Sequence, residues 1–133
     1  MKTDFAYIAG LIDGEGYIGL TRSRGSYRPR VIISNCNLDL LKNAQKIIGG
    51  YITKKPIPPD RWYQGYNLTI INLDDWLTKT IPYLVGKKNK AILMLEAKKL
   101  LKARKKKTNQ AGELNMKELA EIDVKLRMKE WLI

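Results

Sequence analysis

Two carboxylates, Asp13 and Glu15, alternate with the glycines Gly14 and Gly16 where an apolar N-terminal run stops. The run has helical spacing, so the acids are predicted at the C-terminal end of a helix. The helix macrodipole is negative there, so a carboxylate is unfavourable unless a cation compensates. A divalent ion is the first candidate, because Mg²⁺ and Ca²⁺ prefer oxygen ligands. The alternative is an ordinary helix end, with a left-handed glycine and two solvated acids.

The composition restricts the chemistry and indicates a partner. Lysine and arginine total 25 against 13 aspartates and glutamates, a net charge of +12. This excess favours nucleic acid over an anionic membrane surface or a merely solvated lysine-rich surface. The chain has no histidine, which excludes histidine-dependent nucleophiles and histidine metal sites. The single Cys36 excludes an internal disulfide and a thiolate zinc site, and it is typical of a reducing compartment.

The apolar stretches are too short for a membrane protein. Each is interrupted before the ~20 residues that a membrane span requires. The N-terminal run is broken by Asp13 and lacks the pattern of a signal peptide. We therefore expect an intracellular protein of the cytoplasm or an organelle matrix, not a secreted one.

The order of elements predicts an α+β fold without internal repeats. A first helix is predicted from Thr3 or Asp4 to about Asp13, and a second at 38–48, between Asn37 and Gly49-Gly50. A third is predicted from Asn72, with Asp75 in a capping box, to Pro82. Two more are predicted at 86–107 and, after a break at 108–112, at 113–131. Strands are predicted at 17–24 and 28–35 around a Gly25-Ser26 turn, and at 51–55 and 62–72 around a proline-rich loop.

The run Ile8-Ala9-Gly10-Leu11-Ile12-Asp13-Gly14-Glu15-Gly16 closely resembles the signature of the LAGLIDADG homing endonucleases. Ile8 replaces leucine, Gly14 stands where the name has alanine, and Glu15 replaces aspartate with the same chemistry. The resemblance spans roughly residues 4–100. It implies the αββαββα fold, whose antiparallel sheet forms a DNA-binding saddle. The whole chain, 1–133, is then one endonuclease domain, with about 108–133 as a C-terminal helical extension.

Because the signature occurs once, the resemblance implies a homodimer in which two copies of the first helix pack together. The implied interface residues are Ala6, Ala9, Gly10 and Asp13. Glu15 takes the position of the metal-binding carboxylate, and Gly14 contributes its backbone carbonyl. Mg²⁺ or Mn²⁺ would serve cleavage, whereas Ca²⁺ could occupy the site without supporting it.

Two further residues take catalytic positions by the same resemblance. Lys87 follows a stretch similar to the lead-in to the family's lysine, with Lys88 and Lys90 as near alternatives. Its role would be electrostatic stabilisation of the phosphate or proton transfer through water, and a phosphate clamp or a solvated charge is the alternative. Asn35 takes the position of a water-positioning amide, or it is a turn residue that ends its strand.

The implied saddle lays its strands along the major groove, so groove-facing residues alternate with core-facing ones. The predicted DNA-facing residues are Tyr17, Thr21, Ser23, Arg28, Arg30, Ser34, Lys55 and Lys88, with members of the set Arg61, Tyr63, Gln64, Asn67 and Thr69. Trp62 and Tyr66 are predicted to belong to the core. The basic residues of 98–107 are predicted to contact phosphates.

The resulting hypothesis is a homodimeric, magnesium-dependent homing endonuclease that makes a staggered double-strand cut in a pseudo-palindromic DNA target and is encoded by a mobile intron. The alternative is a maturase, which binds intron RNA on the same scaffold without cleavage. An unrelated basic RNA-binding protein is a further alternative.

Asp60 with Glu96-Ala97-Lys98 formally matches the PD-(D/E)-x-K nuclease pattern. That pattern needs its acid and lysine on a strand, whereas Glu96 lies in a helical pattern, so a chance match is the better explanation.

Overall fold

The structure, a computed structural model, describes residues 2–104 and 109–129; the side chains of Ser23, Arg104 and 109–115 are not described. The elements are α1 (Lys2–Glu15), β1 (Gly16–Ser23), β2 (Ser26–Asn35), α2 (Leu38–Ile48), β3 (Tyr51–Lys54), β4 (Tyr66–Thr69), α3 (Leu73–Thr80), a 3₁₀ turn (Ile81–Tyr83), α4 (Lys88–Arg104) and α5 (Asn109–Arg127). The antiparallel sheet has the strand order β1-β2-β4-β3. The predicted α+β fold with the order αββαββα and a C-terminal helix is confirmed.

The turn between β1 and β2 comes one residue earlier than predicted. It consists of Arg24 and Gly25, which have φ angles of 50° and 74°. A two-residue turn with positive φ at both positions matches the twist of antiparallel strands, and glycine adopts that conformation without steric cost.

Two helix starts differ from the prediction. The Asn72 side chain makes no capping hydrogen bond, and Asp75 pairs with Lys79 at 3.1 Å one turn further on. The predicted capping box is therefore wrong. The predicted break at 108–112 is wrong for 109–112, which begin α5. A single glycine inside a helix costs only about 1 kcal/mol, so Gly112 does not prevent helix formation. Lys105, Lys106 and Lys107 lie outside the described residues.

The chain divides into two compact units, Met1–Tyr17 with Val31–Val85, and Ile18–Arg30 with Gly86–Ile133. In the first unit, α1 packs against α3, and α2 packs against β3 and β4. Its buried side chains include Ile8, Ile12, Val31, Ile33, Leu41, Leu68 and Leu77. In the second unit, α4 packs against α5. Its buried side chains include Ile18, Leu20, Tyr27, Ala91, Met94, Ala97, Leu119, Ile122 and Leu126.

In the helices that the structure describes, none is long and apolar enough to cross a membrane.

Candidate active site and nucleic-acid interface

The candidate acids lie at a junction where α1 passes into β1 without a connecting loop. Glu15 is the last residue of α1, and Gly16 is the first of β1. A Cβ atom on Gly16 would lie 2.6 Å from the carbonyl oxygen of Ile12, so a larger residue cannot fit without backbone movement. Neither Gly14 nor Gly16 has a positive φ. The alternative of a left-handed glycine cap is therefore wrong.

Glu15 is an exposed carboxylate at an unfavourable end of its helix. The last turn of α1 contains no basic residue. Within 2–104 and 109–129, no lysine or arginine forms an ion pair with Glu15. The negative macrodipole therefore lies beside a negative charge that no cation in the described part of the chain compensates. Gly14 is also exposed, and its carbonyl is a second oxygen of the kind that Mg²⁺ and Mn²⁺ accept, so the donor set fits a hard divalent cation.

The described residues contain no group of three or more histidines, cysteines, aspartates or glutamates that could hold a metal ion.

Asp13 has a different position from Glu15. It is half-buried, and its Oδ2 atom accepts a hydrogen bond of 2.8 Å from the backbone N–H of Val85. This bond joins the end of α1 to the segment after the 3₁₀ turn, across 72 positions of sequence. Asp13 therefore joins the end of α1 to this segment.

The predicted catalytic residues beyond α1 lie in two places, at the start of α4 and at the end of β2. Lys87 lies directly before α4, in the second unit, and is half-buried with interactions of its own. Lys88, the first residue of α4, is exposed. Asn35 ends β2, and its Oδ1 atom accepts a 2.8 Å hydrogen bond from the N–H of Asn37. Asn35 is therefore a turn residue at a strand end, and a role in positioning water stays a prediction.

One face of α1 is open and carries small residues. Ala6, Gly10 and Gly14 are exposed, and a Cβ on either glycine would meet nothing within 4 Å. We call these three residues the open α1 face. Ala9 does not belong to it: Ala9 is 0% exposed within its own chain, because its position on the helix points to the first unit's core. The sequence prediction that Ala9 lies at an interface between two copies is therefore corrected.

The sheet of the first unit has one polar face. In the strand register, Ser34 lies opposite Asn67, and Asn67 lies opposite Thr53. The Ser34 hydroxyl donates a hydrogen bond of 2.5 Å to the Asn67 side-chain oxygen. Because alternate residues face opposite sides, Thr69 shares this face, although only 8% of it is exposed. Thr53 shares the strand parity of Lys55 but is not among the residues predicted to face DNA.

The remaining strand residues were predicted from the same alternation. Tyr17 is 51% exposed, Thr21 and Arg28 are exposed, and Arg30 is half-buried with interactions of its own. The Ser23 side chain lies outside the description. Arg22 shares the strand parity of the buried Ile18 and Leu20, and its guanidinium lies 6.0 Å from the ring centroid of Tyr27.

Between β3 and β4 lies the β3–β4 loop, residues 55–65. The Lys55 N–H donates to the Gly65 carbonyl at 2.9 Å, which continues the ladder by one residue pair. The Gln64 amide nitrogen donates to the Lys55 and Gly65 carbonyls at 2.7 and 2.8 Å. That nitrogen is therefore occupied in closing the loop, which argues against its use in contacting a base. Lys55 is half-buried, and Arg61 and Tyr63 are exposed.

Two predictions for this segment are wrong. The predicted strand at 62–72 is confined to Tyr66–Thr69. Trp62, predicted in the core, is 91% exposed, because it lies in the loop rather than in a buried strand. Tyr66 is half-buried, on the sheet face that carries Ile33 and Leu68. The rival nuclease pattern is also excluded, since Glu96 and Lys98 lie in α4 rather than on a strand.

No family model and no curated protein matches the chain. Solved structures do. The homing endonuclease I-CvuI, in complex with its target in the presence of Ca, is 25% identical, with a TM-score of 0.71 over 94% of this chain and 80% of that one. A second I-CvuI complex was solved in the presence of Mg, and its DNA is not cleaved.

Two other homing endonucleases, also solved in complex with DNA, have a similar fold. The archaeal intron-encoded homing endonuclease I-Vdi141I is 19% identical, with a TM-score of 0.71 over 93% of this chain and 82% of that one. The LAGLIDADG homing endonuclease I-GzeII is 18% identical, with a TM-score of 0.67 over 90% of this chain but 43% of that one. The match thus covers about four fifths of the first two proteins and less than half of the third. It has the LAGLIDADG homing endonuclease fold and carries that family's signature once, as Ile8–Gly16.

Proposed function

We propose that the protein is a site-specific, divalent-metal-dependent DNA endonuclease of the homing type, intron-encoded, that acts as a homodimer on a pseudo-palindromic duplex and leaves a staggered double-strand cut. The observation that carries this proposal is Glu15, an exposed carboxylate at the C-terminal end of α1 without a compensating cation among the described residues. Its place in a fold shared with DNA-bound homing endonucleases supports hydrolysis of a phosphodiester.

Each proposed catalytic group has a defined task. Glu15 and the Gly14 carbonyl hold Mg²⁺ or Mn²⁺. When bound, the ion supplies charge neutralisation at the phosphate and activation of water. Lys87 stabilises the negative charge that develops on the phosphate. Asp13 keeps the end of α1 in place through its hydrogen bond to Val85.

Dimerisation explains the open α1 face. Small residues allow two helix backbones to approach closely, and Ala6, Gly10 and Gly14 leave such a surface uncovered in one chain. A dimer supplies two Glu15 carboxylates, one for each DNA strand. The polar face that contains Ser34, Thr53 and Asn67 supplies groups that can read base edges in a major groove.

The test of the proposed activity is Glu15→Gln, assayed on a duplex selected from a randomised pool by binding. The variant keeps the shape of the side chain but loses the charge that holds the metal. We expect cleavage in Mg²⁺ to fall by at least 10³-fold, the scale expected for loss of a metal's contribution to phosphate chemistry, while duplex binding is retained.

Glu96→Gln is the matched control, because it makes the same chemical change at an exposed glutamate in α4. It should cleave as the native protein does. Persistent cleavage by Glu15→Gln, or loss of cleavage in Glu96→Gln, contradicts the assignment. Binding without cleavage by the native chain favours the maturase.

A further inference from the structure

The β3–β4 loop exposes an aromatic group that neither the core nor the proposed catalytic machinery uses. Trp62 is 91% exposed, and the ring of its neighbour Tyr63, at 41% exposed, lies in contact with it. Large exposed apolar groups that cluster in this way are typical of interaction sites rather than of ordinary surface.

The aromatic group is held in place. The Lys55–Gly65 pair and the Gln64 side chain close the base of the loop. The Arg61 N–H donates to the Pro58 carbonyl at 3.0 Å, which forms a turn just before the tip. The loop also contains three prolines, whose fixed φ angles restrict its backbone. Its conformation is therefore largely set before a partner arrives, which lowers the entropy cost of binding.

The side chains at the tip are also arranged against one another. The Trp62 and Tyr63 rings are in edge-to-face contact, with centroids 5.8 Å apart. The Arg61 guanidinium lies 5.7 Å from the Tyr63 ring centroid. Arg61, Lys54 and Lys55 outnumber the one acid of this region, Asp60. A loop that combines an exposed indole, an arginine and an excess of positive charge complements the apolar sugar and base surfaces of a nucleic acid and its phosphates.

We infer that the β3–β4 loop contacts the DNA duplex through Trp62, whose indole becomes buried against sugar and base surface while Arg61 pairs with a phosphate. The inference rests on the proposed function, since it concerns the same DNA. It is carried by the continuity of the loop with the polar sheet face: Lys55 has the same strand parity as Thr53 and Tyr51. A ligand that follows this face along β3 reaches the loop next.

The decisive measurement is acrylamide quenching of tryptophan fluorescence in a Glu15→Gln Trp131→Phe background, so that the duplex stays intact and Trp62 and Trp76 are the only tryptophans. DNA selected from a randomised pool should protect one exposed indole from quenching. Trp62→Phe should abolish this DNA-dependent protection, because Trp76 lies half-buried against Phe5 in the free protein. Equal protection with and without Trp62, or a Trp62 that stays quenchable in the complex, overturns the inference.

Binding titrations give a second test. Trp62→Ala should weaken duplex binding by on the order of tenfold without changing its salt dependence, because stacking is lost but no charge. Trp62→Phe should retain most of the affinity. Arg61→Gln should lower the salt slope by about one per bound chain. Ile71→Ala, at another exposed apolar residue, is the control and should have no effect.

The two proposals fail differently. Absence of both binding and cleavage in the native protein contradicts the proposed function. Normal binding and cleavage by Trp62→Ala contradicts the loop contact alone.

Discussion

Gly16 is a residue whose identity the junction between α1 and β1 imposes. A methyl group there would lie 2.6 Å from the Ile12 carbonyl oxygen and 2.7 Å from Ile12 Cα, both backbone atoms. We therefore expect Gly16→Ala to lower the free energy of unfolding by about 1–3 kcal/mol, the usual range for overpacking. Urea denaturation followed by circular dichroism measures it.

Gly65→Ala is the matched control for Gly16→Ala. Its added methyl group would meet only the Lys55 side chain, with Cδ nearest at 3.3 Å, and this flexible side chain can move aside. The unfolding free energy of Gly65→Ala should stay near that of the native protein. Equal losses at both positions would mean that the contact with Ile12 is not what requires glycine.

Asp13 is expected to stabilise the fold through the oxygen atom that accepts a hydrogen bond from the Val85 N–H. Asp13→Ala removes the acceptor for the Val85 N–H and should lower the unfolding free energy by about 1–2 kcal/mol. Asp13→Asn keeps an oxygen at that position and should recover most of the loss. If Asp13→Asn is as unstable as Asp13→Ala in chemical denaturation, the carboxylate charge is the important property instead.

For single residues, the sequence predicted the features that depend on neighbouring positions of the chain. The glycines around Glu15 place it at a helix end, and the structure has it there, exposed. The Asp13–Val85 hydrogen bond had no such signal, because its partners are 72 positions apart and one of them is a backbone group. Ala9 was misplaced because a small residue in a signature helix serves either a neighbouring helix or the chain's own core, and its burial decides between them.

Among the elements, α1 carries the proposed dimer interface, and Gly10 lies on its open face. Gly10→Leu should leave the isolated chain folded, since a Cβ there meets nothing within 4 Å. Two such helices could no longer approach closely, so the dimer should dissociate. Sedimentation equilibrium gives the mass of the species, and circular dichroism verifies folding.

Lys42→Leu is the control for Gly10→Leu, because it adds the same side chain at an exposed position of α2. It should leave the oligomeric state unchanged. A Gly10→Leu protein with the native mass would show that the open α1 face is not the interface.

Element boundaries were predictable where polar and glycine signals flank an apolar stripe. Asn37 and Gly49 bracket α2 as expected, and the Asn37 side chain accepts a hydrogen bond from the Leu40 N–H at 3.3 Å. Around Trp62 the aromatic residues have strand propensity, yet the segment is a loop. The Lys55–Gly65 pair ends the ladder there, and no local pattern reveals which residues pair across strands.

For the whole molecule, the net charge of +12 predicts that DNA binding weakens as the salt concentration rises. α4 contributes to it with Lys99 and Lys102, which are exposed on a helix whose buried side consists of Ala91, Met94 and Ala97. If such cations neutralise about six phosphates in the complex, affinity should fall by ~10³ between low and physiological salt. A double variant, Lys99→Gln with Lys102→Gln, should reduce the slope of log affinity against log salt by about two per chain.

Lys79→Gln is the control, since Lys79 pairs with Asp75 and lies 5.5 Å from the Phe5 ring centroid, which assigns its charge to the α1–α3 contact. Filter-binding titrations over a salt series distinguish the outcomes: an unchanged slope in the double variant would mean that this side of α4 does not contact the duplex.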